Sequence, residues 1–221
     1  GQTDGRNAAG QAVSSPSDTD LAAVSAQLGR APRGVVEIAH RCPCGHPDVV
    51  RTAPVLPDGT PFPTTYYATC PRLTGAISTL ESSGLMKAMQ DRLGEDADLR
   101  AAYRAAHEDY LARRAELGNP AELEGISAGG MPERVKCLHV LVAHALARGV
   151  GVNPFGDEAL ELLGPWWDGA ACSGCSGRSE RESEPSSTKF IAPVAAGSAL
   201  GRVDSSLPDV GSTSSRLMSE V

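Results

Sequence analysis

At Cys70-Pro71 the hydrophobic pattern changes period, and that change limits the folds open to the chain. Before it come three short β-rich runs, over 35–39, 49–55 and 64–69, the first alternating apolar with polar residues only loosely. Pro47 and Pro57 bound the middle run, and Pro57-Asp58-Gly59-Thr60 has the proline and glycine of a tight turn. These spacings predict an antiparallel three-stranded sheet with Cys70 at the end that also carries Cys42 and Cys44. Beyond Cys70, Leu73, Ile77 and Leu80 fall on one face of a helix. Further helices are expected over 85–93, stopped by Gly94; through 117, capped by Asp96 and ended by Gly118-Asn119-Pro120; over 133–148, with Pro132 in its first turn; and over 158–163, after the turn Asn153-Pro154-Phe155-Gly156-Asp157. A short helix over 21–28 precedes the sheet, with Asp18-Thr19-Asp20 as cap candidates and Gly29 as its stop. Strands first and helices after make an α+β pattern: a small three-stranded sheet followed by a helical part. It spans one expected domain, 21–168, between a disordered leader, 1–20, and a disordered tail, 169–221, where composition falls to Ser, Gly, Glu and Pro.

Hydrophobic residues make up 41% of the 221, enough for a core, but aromatics only 4%, so the core must be built mainly from Ala, Val and Leu. Tyr66-Tyr67 and Trp166-Trp167 are expected to fill core or edge space rather than stack on bases. The formal charge of -7 argues against a general nucleic-acid coat or an anionic membrane surface, both of which need excess Lys and Arg. No apolar run of the length needed to span a membrane occurs, and the N-terminal stretch lacks the apolar segment of a secretory signal. The expected location is cytoplasmic, and in a reducing compartment cysteines more often bind metal or do chemistry than form structural disulfides.

His40-Arg41-Cys42-Pro43-Cys44-Gly45-His46-Pro47 packs two thiols and two imidazoles into eight residues. Together with Cys70 and Cys137 it points to a four-thiolate site for zinc or an iron–sulfur cluster, the cluster favoured slightly because Cys42 and Cys70 both precede proline. The spacing of Cys42 and Cys44 is tighter than a zinc knuckle. Cys137, in the first turns of the expected helix, gains from the positive end of its dipole. At about 100° per residue, His144 would point the same way as Cys137 but ~10 Å along the axis, and His139 almost opposite. His40 and His46 are better substitute ligands; His139, His144 and His40 are the acid–base candidates. Buried thiols packing as small hydrophobes is the plain alternative for Cys70 and Cys137, and a redox pair is the alternative for Cys42 and Cys44. Cys172 and Cys175 have knuckle spacing but no partner pair nearby. His107 reads as a surface or edge histidine.

Gly129-Gly130-Met131-Pro132-Glu133-Arg134-Val135-Lys136 combines a glycine pair, an expected helix start and two cations. Exposed amides there would suit a small anionic ligand, with Arg134 and Lys136 as its clamps, although P-loop spacing is absent. The plain alternative is a loop with solvated charges. No protein partner is legible.

The stretches Pro32-Arg33-Gly34, His40 to Gly45, Leu56-Pro57-Asp58-Gly59-Thr60-Pro61-Phe62-Pro63-Thr64, Cys70-Pro71-Arg72-Leu73, Gly130 to His139 and Asn153 to Leu160 resemble those of a bacterial family catalogued as domain of unknown function 501, found mainly in actinobacteria. No activity comes with the resemblance. The neighbourhood of its genes, a septum-formation initiator and an exopolyphosphatase, implies a role near division or phosphate metabolism. Two functions follow from the residues: a regulatory or scaffold module bearing the metal or cluster, or an enzyme acting on an anionic substrate at the Gly129 to Lys136 loop.

Overall fold

The computed structural model describes residues 15–167, together with the backbone of two short strands, β1 (Gly5–Arg6) and β2 (Ala12–Val13), paired antiparallel. The rest of the expected leader and tail, with Cys172 and Cys175, lies outside the described residues.

The three-stranded sheet forms as the turn signals require. Strands β3 (Val35–Arg41), β4 (Pro47–Thr52) and β5 (Tyr66–Ala68) pair antiparallel in the order β3-β4-β5. Arg41 lies opposite Pro47 and Val49 opposite Ala68, so the 42–46 turn and Cys70 share one end of the sheet. Alternation along the strands splits the side chains between two faces. Ile38 and Val50 face one way and pack with Val24, while Ala39, Val49, Tyr66 and Ala68 face the main core.

Val24 belongs to helix α1 (Asp18–Leu28), which therefore covers one face of the sheet. Ser17 caps it, its hydroxyl accepting from the Asp20 amide while the Asp20 carboxylate accepts from the Ser17 amide. Gly29 closes it in the left-handed region (φ 66°). Asp20 also takes two hydrogen bonds from Arg41 at the end of β3, at 2.7 and 2.9 Å, and Gln27 donates to the Pro47 carbonyl at 2.8 Å.

The main core joins the other face to five helices: α2 (Pro71–Ser82), α3 (Leu85–Glu95), α4 (Ala97–Ala115), α5 (Leu138–Arg148) and α6 (Pro154–Leu163). α5 is buried at every position from Val140 to Ala147, which is why its sequence is apolar all round. As composition demands, Leu, Val and Ala dominate this core; its large rings are Tyr66, Tyr103, Tyr110 and Phe155. Trp166 and Trp167 meet each other edge to face, half-buried at its margin.

Two expectations about the helical part need correction. The helix expected over 133–148 begins only at Leu138. The Arg134 amide instead bonds Gly130 O, the Lys136 amide bonds Gly129 O, and the Val135 amide bonds Gln90 Oε1 of α3. Residues 129–136 are thus a folded loop, and Gly130 (φ 94°) is required there because a Cβ would stand 2.6 Å from the Arg134 carbonyl oxygen. The last helix, conversely, starts earlier than expected: Pro154 opens it, and Asn153 caps it by accepting from the Gly156 amide at 2.9 Å.

Candidate metal centre

Thr74, Ser78 and Glu81 stand on one face of α2, at i, i+4 and i+7. That face meets the start of α5. The first amides of a helix have no partner within it, and here Glu81 Oε1 accepts from the Leu138 amide at 2.7 Å. The same oxygen lies 3.2 Å from His139 Nδ1. On the far side of the ring, His139 Nε2 is 3.2 Å from the Thr74 carbonyl oxygen and 3.4 Å from Ser78 Oγ. Cys137 precedes the helix in an extended conformation (φ -154°, ψ 109°), and its sulfur lies within 4.8 Å of a His139 ring nitrogen.

One donor atom each from Glu81, Cys137 and His139 lies within 4.8 Å of the others, and all three side chains are half-buried. Among the described residues they form the one such set of three or more His, Cys, Asp or Glu side chains. With bonds of ~2.0–2.3 Å, the donors of a tetrahedral zinc site stand roughly 3.3–3.8 Å apart. Donors within 4.8 Å of one another would need to draw together to reach that spacing.

The donors are soft, intermediate and hard, and the imidazole is oriented from behind. A histidine that holds metal usually gives its other N–H to a carbonyl or carboxylate, and the Thr74 carbonyl occupies that place at Nε2. Nδ1 is then left facing a carboxylate, which only accepts. With the ring proton on Nε2, a metal ion or a second ring proton would satisfy the pair. A second ring proton fills the role when no metal does: the hydrogen bond to Cys137 pushes His139 up to about 9, with the Glu81 charge adding to it and burial opposing it. Cys137 and His139 also line a cleft of about 660 Å³, whose walls include Thr69, Thr74, Ser78 and Tyr67.

The residues singled out from the sequence are distributed differently. Cys42 and Cys44 are bonded to each other, with Cα atoms 5.3 Å apart. Cys70 is fully buried at the residue before α2, at the expected end of the sheet. Among the described residues no three cysteine sulfurs fall within ligand distance; two are spent on one another, and Cys137 stands beside Glu81 and His139. The expectation that His139 points away from Cys137 is corrected for a simple reason. Cys137 is not helical, so the 100° rule does not span the pair.

His40 Nδ1 lies 2.7 Å from the buried Asp48, and His46 is half-buried in the turn. His144 is fully buried between Asp109 (2.9 Å from Nε2) and Asn153 (3.2 Å from Nδ1), stacked on Tyr66 and meeting Tyr110 edge to face. Burial pushes its imidazole down, so it is the neutral form that accepts from Asn153 and donates to Asp109. Arg148 and His144 hold the Asp109 carboxylate well below its usual range against the cost of burial. His107 is half-buried and paired with Ser127 Oγ at 3.0 Å. Gly129, Gly130, Arg134 and Lys136 surround an open depression of about 420 Å³, with both cations exposed. The amides of Arg134 and Lys136 are used inside the loop, and the helix amino end is one turn away under Glu81.

Nothing in the sequence marks Glu81. It sits in no motif, and its importance comes from a helix start 57 positions away. The fold and its cluster define an α+β protein with thiol, imidazole and carboxylate groups beside a cleft. Over residues 38–161, more than half its length, the chain matches the family described as "Protein of unknown function (DUF501)", and it belongs to that family. No curated protein and no solved structure matches it. No helix among the described residues is long and apolar enough to cross a membrane.

Proposed function

We propose that the protein binds one zinc-class metal ion through the Glu81 carboxylate, the Cys137 thiolate and the His139 imidazole, with a further coordination position open to the adjoining cleft. The observation that carries this is the orientation of His139: Nε2 faces the Thr74 carbonyl, and Nδ1 faces the Glu81 carboxylate. The metal and Cys137 are kept from the sequence expectation; Glu81 and His139 replace the remaining thiols. A set with one sulfur, one nitrogen and one oxygen donor suits zinc better than an iron–sulfur cluster, which is held chiefly by thiolates. Three protein ligands with an open position are the pattern of a catalytic zinc ion, which polarises a bound group or activates water. The function this supports is metal-assisted chemistry on a small molecule held in the cleft, whose Thr69, Thr74 and Ser78 hydroxyls suit a polar substrate.

The full chain, purified without chelator, should carry about one zinc per molecule. Cys137→Ser and His139→Ala should each lose most of it while keeping the fold. Replacing zinc by cobalt should give a thiolate-to-metal charge-transfer absorption that is missing in Cys137→Ser. A folded wild-type protein that holds no metal and shows no thermal shift on titration with zinc or cobalt removes the proposal.

A further inference from the structure

The Cys42–Cys44 bond has no evident work to do as a brace. The turn it spans is already closed by the Cys42 amide donating to His46 O at 3.0 Å and the Gly45 amide donating to Cys42 O at 2.8 Å. The ladder resumes immediately, with Arg41 opposite Pro47. A cross-link between residues two apart also closes the shortest of loops, so it removes little freedom from the unfolded chain.

The two sulfurs are unequal in access. Cys42 is 2% exposed and belongs to the main core. Cys44 is half-buried and lies between the exposed residues Pro43 and Gly45. Arg41 Nη1, ion-paired with Asp20, donates to the Gly45 carbonyl at 3.3 Å and so holds the residue after Cys44 from outside the turn.

We infer that Cys42 and Cys44 form a reversible disulfide–dithiol site that exchanges electrons with an external dithiol, and that Cys44 is the sulfur attacked. A thiolate of the partner forms a bond to Cys44 Sγ as the Cys42–Cys44 bond breaks. The electron pair leaves on Cys42 Sγ, which takes up the proton released when the partner thiol ionised. The partner's second thiol then attacks the partner sulfur of this mixed disulfide and frees Cys44. The partner dithiol ends as a disulfide and the pair ends as two thiols. Because the turn keeps its backbone hydrogen bonds, the fold survives both states.

The test uses the full chain equilibrated in mixtures of reduced and oxidised dithiothreitol, alkylated, and mapped by mass spectrometry. The peptide holding residues 42–44 should pass from unmodified to doubly alkylated and back, with unchanged circular dichroism. A pair that opens only in denaturant, or whose reduction unfolds the domain, or that never re-forms, overturns the inference. A second arm compares Cys42→Ser with Cys44→Ser against oxidised glutathione. Cys44 in the first variant should be modified roughly tenfold faster than Cys42 in the second, as its access requires. Equal or reversed rates overturn the assignment of Cys44.

Discussion

At the scale of single residues, His144 shows how one side chain can be legible in type and illegible in role. Its place on a helix behind Cys137 suggested a ligand or an acid–base group. The structure commits both ring nitrogens to partners 35 and 9 positions away, and a sequence pattern cannot report such pairings. Asn153 serves twice, capping α6 with its oxygen and donating to His144 with its nitrogen. Asn153→Ala removes a cap, at ~1 kcal/mol, and leaves a buried acceptor unpaired, at ~1–3 kcal/mol. Denaturant titration should therefore show a loss of about 2–4 kcal/mol. The pH dependence follows from the same pairing. Burial holds the folded-state value of His144 below the ordinary imidazole range, so the unfolded chain binds the extra proton first. Its contribution is complete above the unfolded value of about 6.5 and is lost as pH falls below it. Wild-type stability should drop between pH 7.5 and 5.5 by more than that of His144→Gln, and parallel slopes for the two proteins would refute this.

At the scale of elements, strands and most helices follow from local chemistry. Prolines and a glycine turn delimit the sheet, and Asp96 and Gly29 mark helix ends where short-range rules place them, whereas α1 is capped by Ser17 and takes the expected cap candidates Asp18, Thr19 and Asp20 into its first turn. The start of α5 does not follow, because the bonds that fold 129–136 come from the loop itself and from Gln90 on α3. The metal-type cluster depends on that late start, since it frees Cys137 from the helix and brings Glu81 to the first amide. Helix crossing is equally hidden in sequence. Gly156 on α6 lets the two helices touch, and an added Cβ would lie 2.2 Å from Leu141 O and 2.8 Å from Ala145 Cβ. Gly156→Ala gains ~0.5–1 kcal/mol of helix propensity, but backbone in direct contact cannot yield as a flexible side chain would. Overpacking costs ~1–3 kcal/mol or more, so the clash wins. Thermal unfolding of Gly156→Ala should come several degrees below wild type, and an equal or higher midpoint would show that α5 and α6 can separate without cost.

At the scale of the whole described domain, the sheet divides two unequal packings. One face joins the large core through α5; on the other, among the described residues, a small buried cluster of Val24 from α1 with Ile38 and Val50 has Leu28, Val35 and Tyr67 beside it. So small an apolar contact leaves polar ties a larger share of the attachment of α1. The Asp20 pair with Arg41 is the principal charged one, and the Arg41 hydrogen bond lowers Asp20 to about 2, against a smaller opposing effect of burial. A carboxylate depressed in the folded state stabilises it above the unfolded value, here 3.8, and that stability is lost as pH falls toward about 2. Asp109, also depressed, ties α4 to α5 inside the larger packing, where many more apolar contacts back it up. Acid should consequently loosen α1 before the main core. Hydrogen exchange followed from pH 5 to pH 2.5 should show protection lost first at α1 amides and later at those of α5. Arg41→Ala should reduce α1 protection already at neutral pH and flatten its acid dependence. Simultaneous loss of protection in α1 and α5 would mean that the two faces of the sheet unfold as one unit.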